Sequence, residues 1–182
     1  MILSNLKRAA ELIRSFKQVA VDRSTEDRRV FHLRAYLDEI LMSLRPHLKK
    51  TEHTVSVICD PKLIMDSYPG ALSQIITNLV MNSLVHAFEP GEAGRITISA
   101  AQDRDQVQIN YADNGKGIPN ENLDKIFEPF YTTRRGRGGT GLGLHILYNL
   151  VTQKLGGTVR CESTPGQGTS FTLLLPQGWR DL

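Results

Sequence analysis

Apolar residues recur at alternating spacings of four and three near the start of the chain, which predicts a helix from residue 2 to about 22. The stripe consists of Ile2, Leu6, Ala9, Ile13, Phe16 and Ala20. Such a stripe either meets a partner helix or packs on its own domain, and its position before a charged break favours the partner helix. The polar residues 22–29 that follow are predicted to form a linker.

Short apolar segments and longer helical patterns alternate over the rest of the chain, which predicts one α+β domain. The expected strands are 30–33, 54–59, 63–65, 95–101, 107–112, 158–162 and 170–175. The expected helices are 34–48, 69–88 and 142–155, with a short helical piece near 120–126. We therefore predict a two-layer α/β sandwich with a mixed, mostly antiparallel sheet and about three packed helices, plus the N-terminal helix.

Composition narrows the class of protein without identifying a ligand. The chain has 182 residues, of which 40% are hydrophobic and 23% charged, as expected for a soluble domain with a real core. A net charge of +3 fits a small anion as well as nucleic acid. No apolar run approaches the roughly 20 residues that span a bilayer, and the start lacks the apolar core of a signal peptide. Cys59 and Cys161 form no CxxC pair and are expected to be buried thiols in a cytoplasmic protein.

The helix predicted at 69–88 carries a row of polar side chains among apolar ones. Gln74, Asn78 and Asn82 recur every four residues and His86 extends the row, so the four lie one above another. Asparagine has a lower helix propensity than alanine or leucine, so a purely structural helix gains little from two in line. The row is either a solvent-facing side or a set of amide ligands, which suit a hard cation such as Mg²⁺.

A second candidate segment, 113–119, begins with Asp113 at the predicted end of a strand. An Asn-Gly pair after a strand is ordinary turn chemistry. The segment also suits a purine pocket, because the carboxylate can accept a hydrogen bond from an exocyclic amino group. Gly115 and Gly117 lack a Cβ and would let a flat base lie against the backbone.

A third candidate segment, 134–144, is rich in glycine and arginine and runs directly into a predicted helix. Its amide N–H groups and the helix N-terminus suit an anion such as phosphate, although simple flexibility would also account for the glycines. It is not a P-loop, because the Gly-Lys pair at 115–116 is followed by glycine rather than serine or threonine. Its glycines also lack the spacing and the preceding strand of a dinucleotide fingerprint.

Taken in order, these segments resemble the N, G1, F and G2 boxes of the catalytic and ATP-binding domain of bacterial sensor histidine kinases, in the GHKL superfamily. The F box corresponds to Phe-Glu-Pro-Phe at 127–130, and the G2 box to Gly-Thr-Gly-Leu-Gly-Leu at 139–144. The resemblance covers roughly residues 30–176 and implies a Bergerat-type ATP-binding fold. It also implies that 1–24 is the end of a dimerisation and phosphoacceptor helix, through which the full-length protein is a homodimer, and that 25–182 is the catalytic domain.

The resemblance assigns roles residue by residue. Asn82 matches the asparagine that coordinates Mg²⁺ and positions the phosphates, and Asp113 matches the aspartate that binds the adenine amino group. Phe127 and Phe130 match the lid over the nucleotide. The full set of positions expected to bind ATP or Mg²⁺ is Asn78, Asn82, His86, Asp113, Gly115, Gly117, Ile118, Phe130, Thr132, Thr133, Arg134, Gly139, Thr140, Gly141, Leu142, Gly143, Leu144 and Thr169.

The chain departs from the family pattern at the position of a basic residue. Family members often have one three positions after the second asparagine of the N box, where this chain has Val85. Our hypothesis is that Arg134 in the lid, together with His86, supplies the positive charge that the phosphates need, which would make Arg134 a catalytic residue beside Asn82.

A second departure concerns the phosphoacceptor. That box places an acidic residue after the histidine, whereas the five histidines here are followed by Leu33, Leu48, Thr54, Ala87 and Ile146. His32 and His145 are expected to be structural. We therefore expect the acceptor histidine to lie upstream of Met1 or in another chain, and this segment not to phosphorylate itself.

The resemblance implies the ATP·Mg²⁺-binding catalytic domain of a two-component sensor histidine kinase, which transfers the γ-phosphate to a histidine outside this segment. The implied partners are the phosphoacceptor domain and a response regulator receiver domain, with no nucleic acid or membrane contact. One alternative is a GHKL ATPase of the gyrase or MutL type, although Phe-Glu-Pro-Phe-Tyr-Thr-Thr followed by Gly-Thr-Gly-Leu-Gly-Leu favours the kinases. Another is a non-catalytic nucleotide-binding regulatory module.

Overall fold

The structure, a computed structural model, describes residues 27–133 and 140–178. Its strands are β1 (Arg29–His32), β2 (Thr54–Cys59), β3 (Ile64–Ser67), β4 (Arg95–Asp103), β5 (Gln106–Asp113), β6 (Thr158–Thr164) and β7 (Gly168–Pro176). Its helices are α1 (Leu33–Leu48), α2 (Pro69–Asn82), α3 (Asn120–Leu123) and α4 (Gly143–Asn149). The predicted helix at 2–22, Arg134 and Gly139 lie outside the described residues, so the division at residue 24 stays a prediction.

The sheet is mixed and mostly antiparallel, as predicted. Five strands pair in the order β2-β4-β5-β7-β6, while β1 and β3 form a separate antiparallel pair. The β2-β4 pair is parallel, and the other pairs of the larger sheet are antiparallel. The register of β5 with β7 places Asp113 opposite Thr169, so two predicted site residues meet at one end of neighbouring strands.

One face of the sheet packs on the helices, which gives the predicted two-layer sandwich. Alternate residues of the central strands are buried, as a strand with one covered face requires. These are Ile96 and Ile98 of β4, Val107, Ile109 and Tyr111 of β5, and Phe171, Leu173 and Leu175 of β7. They share one core with the apolar stripe of α2, which runs from Leu72 to Val80, and with Leu147 of α4. Within the described ranges, no helix combines the length and the apolar character needed to cross a membrane.

Two helices, α2 and α4, end in a different geometry from the one predicted. Regular α-helix stops at Asn82 and at Asn149, and the chain continues in π-helical turns over Ser83–Ala87 and Leu150–Lys154. A π-turn keeps the chain helical, so the apolar pattern that predicted helix as far as residues 88 and 155 does not reveal it. Such single π-turns inside helices are frequently found at functional sites.

The cysteines are free, as predicted, but only one of them is fully buried. Cys59 lies in the core, whereas Cys161 on β6 is half-buried. Burial raises the pKa of the Cys161 thiol to about 12, with a smaller contribution from the Asp113 carboxylate. The expectation of two buried thiols is therefore wrong for Cys161, although its thiol stays protonated at neutral pH.

Candidate nucleotide-binding site

A cavity of about 560 Å³ lies between α2 with its π-turn and the segments that follow β5 and precede α4. Its size is within the roughly 300–1,000 Å³ of small-molecule sites. The predicted positions that line it are Asn78, Asn82, His86, Asp113, Gly117, Ile118, Thr132, Thr133, Thr140, Gly141, Gly143, Leu144 and Thr169. The candidate segments thus converge on one cavity.

Three described positions of the predicted set do not line the cavity. Gly115 packs against the neighbouring helix, since a Cβ there would stand 2.5 Å from the Ala87 carbonyl oxygen. Leu142 is buried, and Phe130 has 47% of its surface exposed. These three residues shape the site from behind or from its rim.

The polar row of α2 turns toward the cavity, so the solvent-facing interpretation is wrong for Asn78, Asn82 and His86. Asn78 Nδ2 donates a hydrogen bond to the Gly143 carbonyl at 3.0 Å, which ties α2 to the first turn of α4. Gln74 donates to Asn78 Oδ1 at 3.4 Å and lies one turn beyond the cavity. The hydrogen bond from Asn78 therefore joins the polar row of α2 to the third predicted segment.

Asn82 is the one described residue with a buried side-chain nitrogen or oxygen that has no hydrogen-bond partner, and the atom is Nδ2. Burying a polar group without a partner costs about 1–3 kcal/mol, so the position is unfavourable unless a ligand completes it. A half-turn of the amide exchanges its oxygen and nitrogen. Asn82 can therefore present an acceptor to a cation or a donor to a phosphate.

Asp113 is a buried carboxylate in the cavity wall. Its Oδ1 accepts a hydrogen bond from the Gly115 N–H at 3.0 Å, and its Oδ2 accepts one from the Ser83 hydroxyl at 2.7 Å. Each carboxylate oxygen has two lone pairs, so further acceptor capacity remains for a ligand. The strand-end aspartate thus has the position and chemistry that a purine amino group needs.

Two glycines of the site have backbone conformations that side chains rarely adopt. Gly117 has a φ of 73° and Gly141 a φ of 71°. A Cβ on Gly117 would collide with the Thr164 carbonyl, and one on Gly141 would collide with the backbone of Phe130. The contact between Gly141 and Phe130 brings together the two ends of the predicted lid. Phe130 itself has a φ of 66°, which is unfavourable for an aromatic residue.

Hydroxyl groups fix the wall opposite α2. The Ser163 hydroxyl accepts a hydrogen bond from the Ile118 N–H at 2.8 Å and lies 2.9 Å from Thr169 Oγ1. Thr169 is buried beside Asp113. This contact holds the loop after β5 against the β6-β7 pair, so the pocket wall is formed before a ligand arrives.

The aromatic residues before the lid pack on α4. The Phe127 ring lies 5.4 Å from Tyr148 and 6.4 Å from Phe171, measured between centroids. His145 Nδ1 lies 3.0 Å from the Phe127 carbonyl oxygen, and its Nε2 lies 3.1 Å from Asn149 Nδ2. These contacts give His145 the structural role that the sequence predicted.

Sequence reasoning missed about half of the lining. The missed residues are Leu79, Met81, Ser83, Val85, Ala87, Lys116, Pro119, Asn122, Ile126, Tyr131, Pro165 and Phe171. Most are apolar and follow the same periodicity as core residues, so no signal separates them. Lys116 is one exception, because it stands inside the predicted segment 113–119; its Nζ pairs with Glu89 Oε1 at 3.3 Å, and both side chains are largely exposed.

A buried carboxylate, an amide row and glycine-dependent loops around one cavity, on a two-layer α/β sandwich, define a nucleotide-binding domain. The match of the sequence to a known family makes this assignment more specific. Residues 68–178, more than half of the chain, match the family described as histidine kinase-, DNA gyrase B-, and HSP90-like ATPases, and the chain belongs to this family.

Sensor histidine kinases are prominent among the similar proteins. ZraS of Escherichia coli K12 is 41% identical over 108 residues, which cover 59% of this chain and 22% of ZraS. Sporulation kinase B of Bacillus subtilis is 30% identical over 176 residues, which cover 97% of this chain and 40% of that protein. The catalytic domain of the histidine kinase ThkA has a TM-score of 0.73 and 27% identity, over 83% of this chain and 96% of that domain. The chain therefore spans well under half the length of these two curated relatives.

Proposed function

We propose that the chain binds ATP with Mg²⁺ and forms the catalytic part of a sensor histidine kinase, which transfers the γ-phosphate to a histidine outside this segment. The observation that carries the proposal is that Asp113 and the partnerless amide of Asn82 line the same cavity. One suits the amino group of adenine, and the other suits a phosphate or its cation. The names of the similar proteins support the kinase rather than another ATPase branch.

The proposed roles of Asp113 and Asn82 give ATP one orientation in the cavity. The base would lie against Ile118 and Phe171 with its amino group on Asp113, while the phosphates would reach Asn82 and the first turn of α4. The start of α4 presents backbone N–H groups and a partial positive charge. Transfer in line to an external imidazole then depends on positioning and charge neutralisation, and no nucleophile inside the domain is required.

Asn82 would hold Mg²⁺ at the amide end of the cavity, because its buried Nδ2 has no hydrogen-bond partner and a half-turn of the amide presents the oxygen instead. A magnesium ion that binds few protein groups takes its other ligands from phosphates and water. When bound, it would neutralise charge on the phosphates of ATP.

The positive charge for the phosphates is assigned to Arg134. Val85 lines the cavity where relatives often carry a basic residue, while His86 stands beside it in the wall. Arg134→Ala is expected to slow phosphoryl transfer roughly 10- to 100-fold, because a charge-assisted hydrogen bond to phosphate is lost. The measurements are the transfer rate to a separately supplied phosphoacceptor domain and the affinity for ATP. Arg45→Ala, on the exposed last turn of α1, is the control. Unchanged rate and affinity in Arg134→Ala would refute the assignment.

The chain is expected not to phosphorylate itself. His32 and His47 are exposed, and His53 accepts a hydrogen bond from the Gly94 N–H at 2.9 Å and stacks on Phe88. His145 is held by Phe127 and Asn149. Incubation with ATP labelled on the γ-phosphate should leave the purified chain unlabelled, because no histidine here has the acidic neighbour of a phosphoacceptor.

The same incubation with a separate dimerisation and phosphoacceptor domain should produce acid-labile phosphohistidine on that domain. Acid-labile label on the chain alone would contradict the proposal. Inorganic phosphate release without an acceptor would favour another ATPase branch. ATP binding with neither outcome would favour a regulatory nucleotide-binding module.

We further propose that the phosphohistidine serves a response regulator receiver domain and that the full-length protein dimerises through the helix predicted at 2–22. The support is the match to the kinases named above. ThkA has been solved with the response regulator TrrA, and that structure shares the fold with a TM-score of 0.74 at 23% identity, over 94% of this chain and 49% of that one.

A further inference from the structure

A chain of buried polar groups runs from the core to the cavity through Asp113. Tyr111 precedes Asp113 by two residues on β5, so both point to the same face. The Tyr111 hydroxyl donates to Ser83 Oγ at 2.8 Å and lies 3.1 Å from the Leu79 carbonyl oxygen. Ser83 Oγ in turn donates to Asp113 Oδ2 at 2.7 Å. Tyr111, Ser83 and Asp113 are all buried.

Burying the Tyr111 and Ser83 hydroxyls costs free energy that an apolar core would avoid. Phenylalanine at 111 and alanine at 83 would fill nearly the same space without burying polar atoms that must find partners. Ser83 is also the first residue of the π-turn that replaces regular helix beside the cavity. The proposed phosphoryl transfer does not require either hydroxyl, so their role lies in what they do to Asp113.

The direction of the hydrogen bonds follows from the groups at the ends. A backbone carbonyl and an ionised carboxylate only accept, so the Ser83 proton points to Asp113 and the Tyr111 proton is shared between Ser83 and Leu79. Burial raises the pKa of the Tyr111 hydroxyl, which therefore stays protonated and remains a donor. This series of hydrogen bonds places one donor, the Ser83 hydroxyl, on one oxygen of Asp113. The Gly115 N–H is a second donor, to the other oxygen.

We propose that Ser83 and Tyr111 are positioning residues that hold Asp113 as an oriented acceptor and so make the site select adenine over guanine nucleotides. Adenine presents an amino donor at position 6, whereas guanine presents a carbonyl acceptor there. A carboxylate fixed by two donors pairs with the amino group and repels the carbonyl. A carboxylate that loses one fixed donor can rotate away from its position, which lets the site tolerate guanine. The inference rests on the proposed nucleotide function of this cavity.

The test compares the affinities of ATP and GTP, each with Mg²⁺, by isothermal titration calorimetry. Ser83→Ala is expected to reduce the preference for ATP roughly ten-fold, the size of one hydrogen bond to a charged group. Tyr111→Phe should reduce it less, because Ser83 still donates to Asp113. Ser83→Thr keeps the hydroxyl and should retain most of the preference. The matched controls are Ser43→Ala and Tyr36→Phe, whose hydroxyls donate to the carbonyls of Ile40 and Pro69 away from the cavity.

The outcomes separate this inference from the proposed function. A wild-type chain that binds neither nucleotide contradicts the proposed function itself. A wild-type chain that binds ATP and GTP equally overturns only the selectivity inference. If the Ser83→Ala and Tyr111→Phe variants lose affinity for ATP and for GTP by the same factor, the ratio of the two affinities is preserved. That result shows a merely structural role and also overturns the selectivity inference. Thermal unfolding establishes that each variant is folded, and if Ser83→Ala is not, the Tyr111→Phe ratio decides.

Discussion

Asp113→Asn is expected to lower the affinity for ATP about 100-fold, since a charge-assisted hydrogen bond and its geometry are both lost. The asparagine has the same size but offers one acceptor oxygen where the aspartate offers two. Gly115 and Ser83 already donate to the two oxygens of Asp113, so one donor in the variant must face the amide nitrogen. That nitrogen also repels the amino group of adenine. Calorimetric titration of ATP with Mg²⁺ measures the effect.

The control for this substitution is Asp103→Asn, an exposed residue at the end of β4. It removes the same charge from the chain outside the cavity, so a general electrostatic effect would appear in both variants. The loss in Asp113→Asn should be smaller for GTP than for ATP, because the new amide can donate to the guanine carbonyl. Affinity within a factor of about two of wild type, in a folded Asp113→Asn variant, would remove Asp113 from the base site.

The elements could be predicted because each has one covered face. The strand expected at 54–59 is observed with the same bounds, and the helices expected from residues 34 and 69 begin within one residue. The strand order was not accessible, since the parallel pairing of β2 with β4 is a long-range contact that local periodicity does not encode. The π-turns were missed because their residues remain helical and apolar.

The site could be predicted where a polar residue breaks an apolar pattern, as at Asn78, Asn82 and Asp113. A site residue could not be predicted when it fits the apolar periodicity of the core and carries its functional atom at the end of the side chain. Tyr111 takes its expected place in the buried alternation of β5, and its hydroxyl becomes informative only once Ser83, on another element, is seen 2.8 Å away. The available signal was a serine directly after the second asparagine of an otherwise apolar helix. Phe130 is largely exposed outside the cavity lining, so its contact with ATP stays a prediction.

Asn82→Ala is expected to slow phosphoryl transfer about 100- to 1,000-fold, comparable to the loss of one transition-state donor or metal contact in other enzymes. Binding of ATP should weaken far less, because the base contacts at Asp113 remain. The variant should also be at least as stable as wild type without nucleotide, since it removes a buried amide nitrogen that has no partner. Single-turnover transfer to a separate phosphoacceptor domain and thermal unfolding measure the two effects.

Opposite changes in activity and stability distinguish a ligand-binding amide from a structural one. Gln74→Ala provides the matched comparison, because Gln74 lies in the same row of α2 one turn outside the cavity. If the row were only a polar side of a helix, both variants would behave alike. Asn82→Ala with a wild-type transfer rate would refute the assignment of Mg²⁺ to Asn82. A clearly lowered unfolding temperature at that unchanged rate would show that the amide is structural. A slow but stable variant would instead show that this amide is kept for its ligand, at a cost to the folded chain.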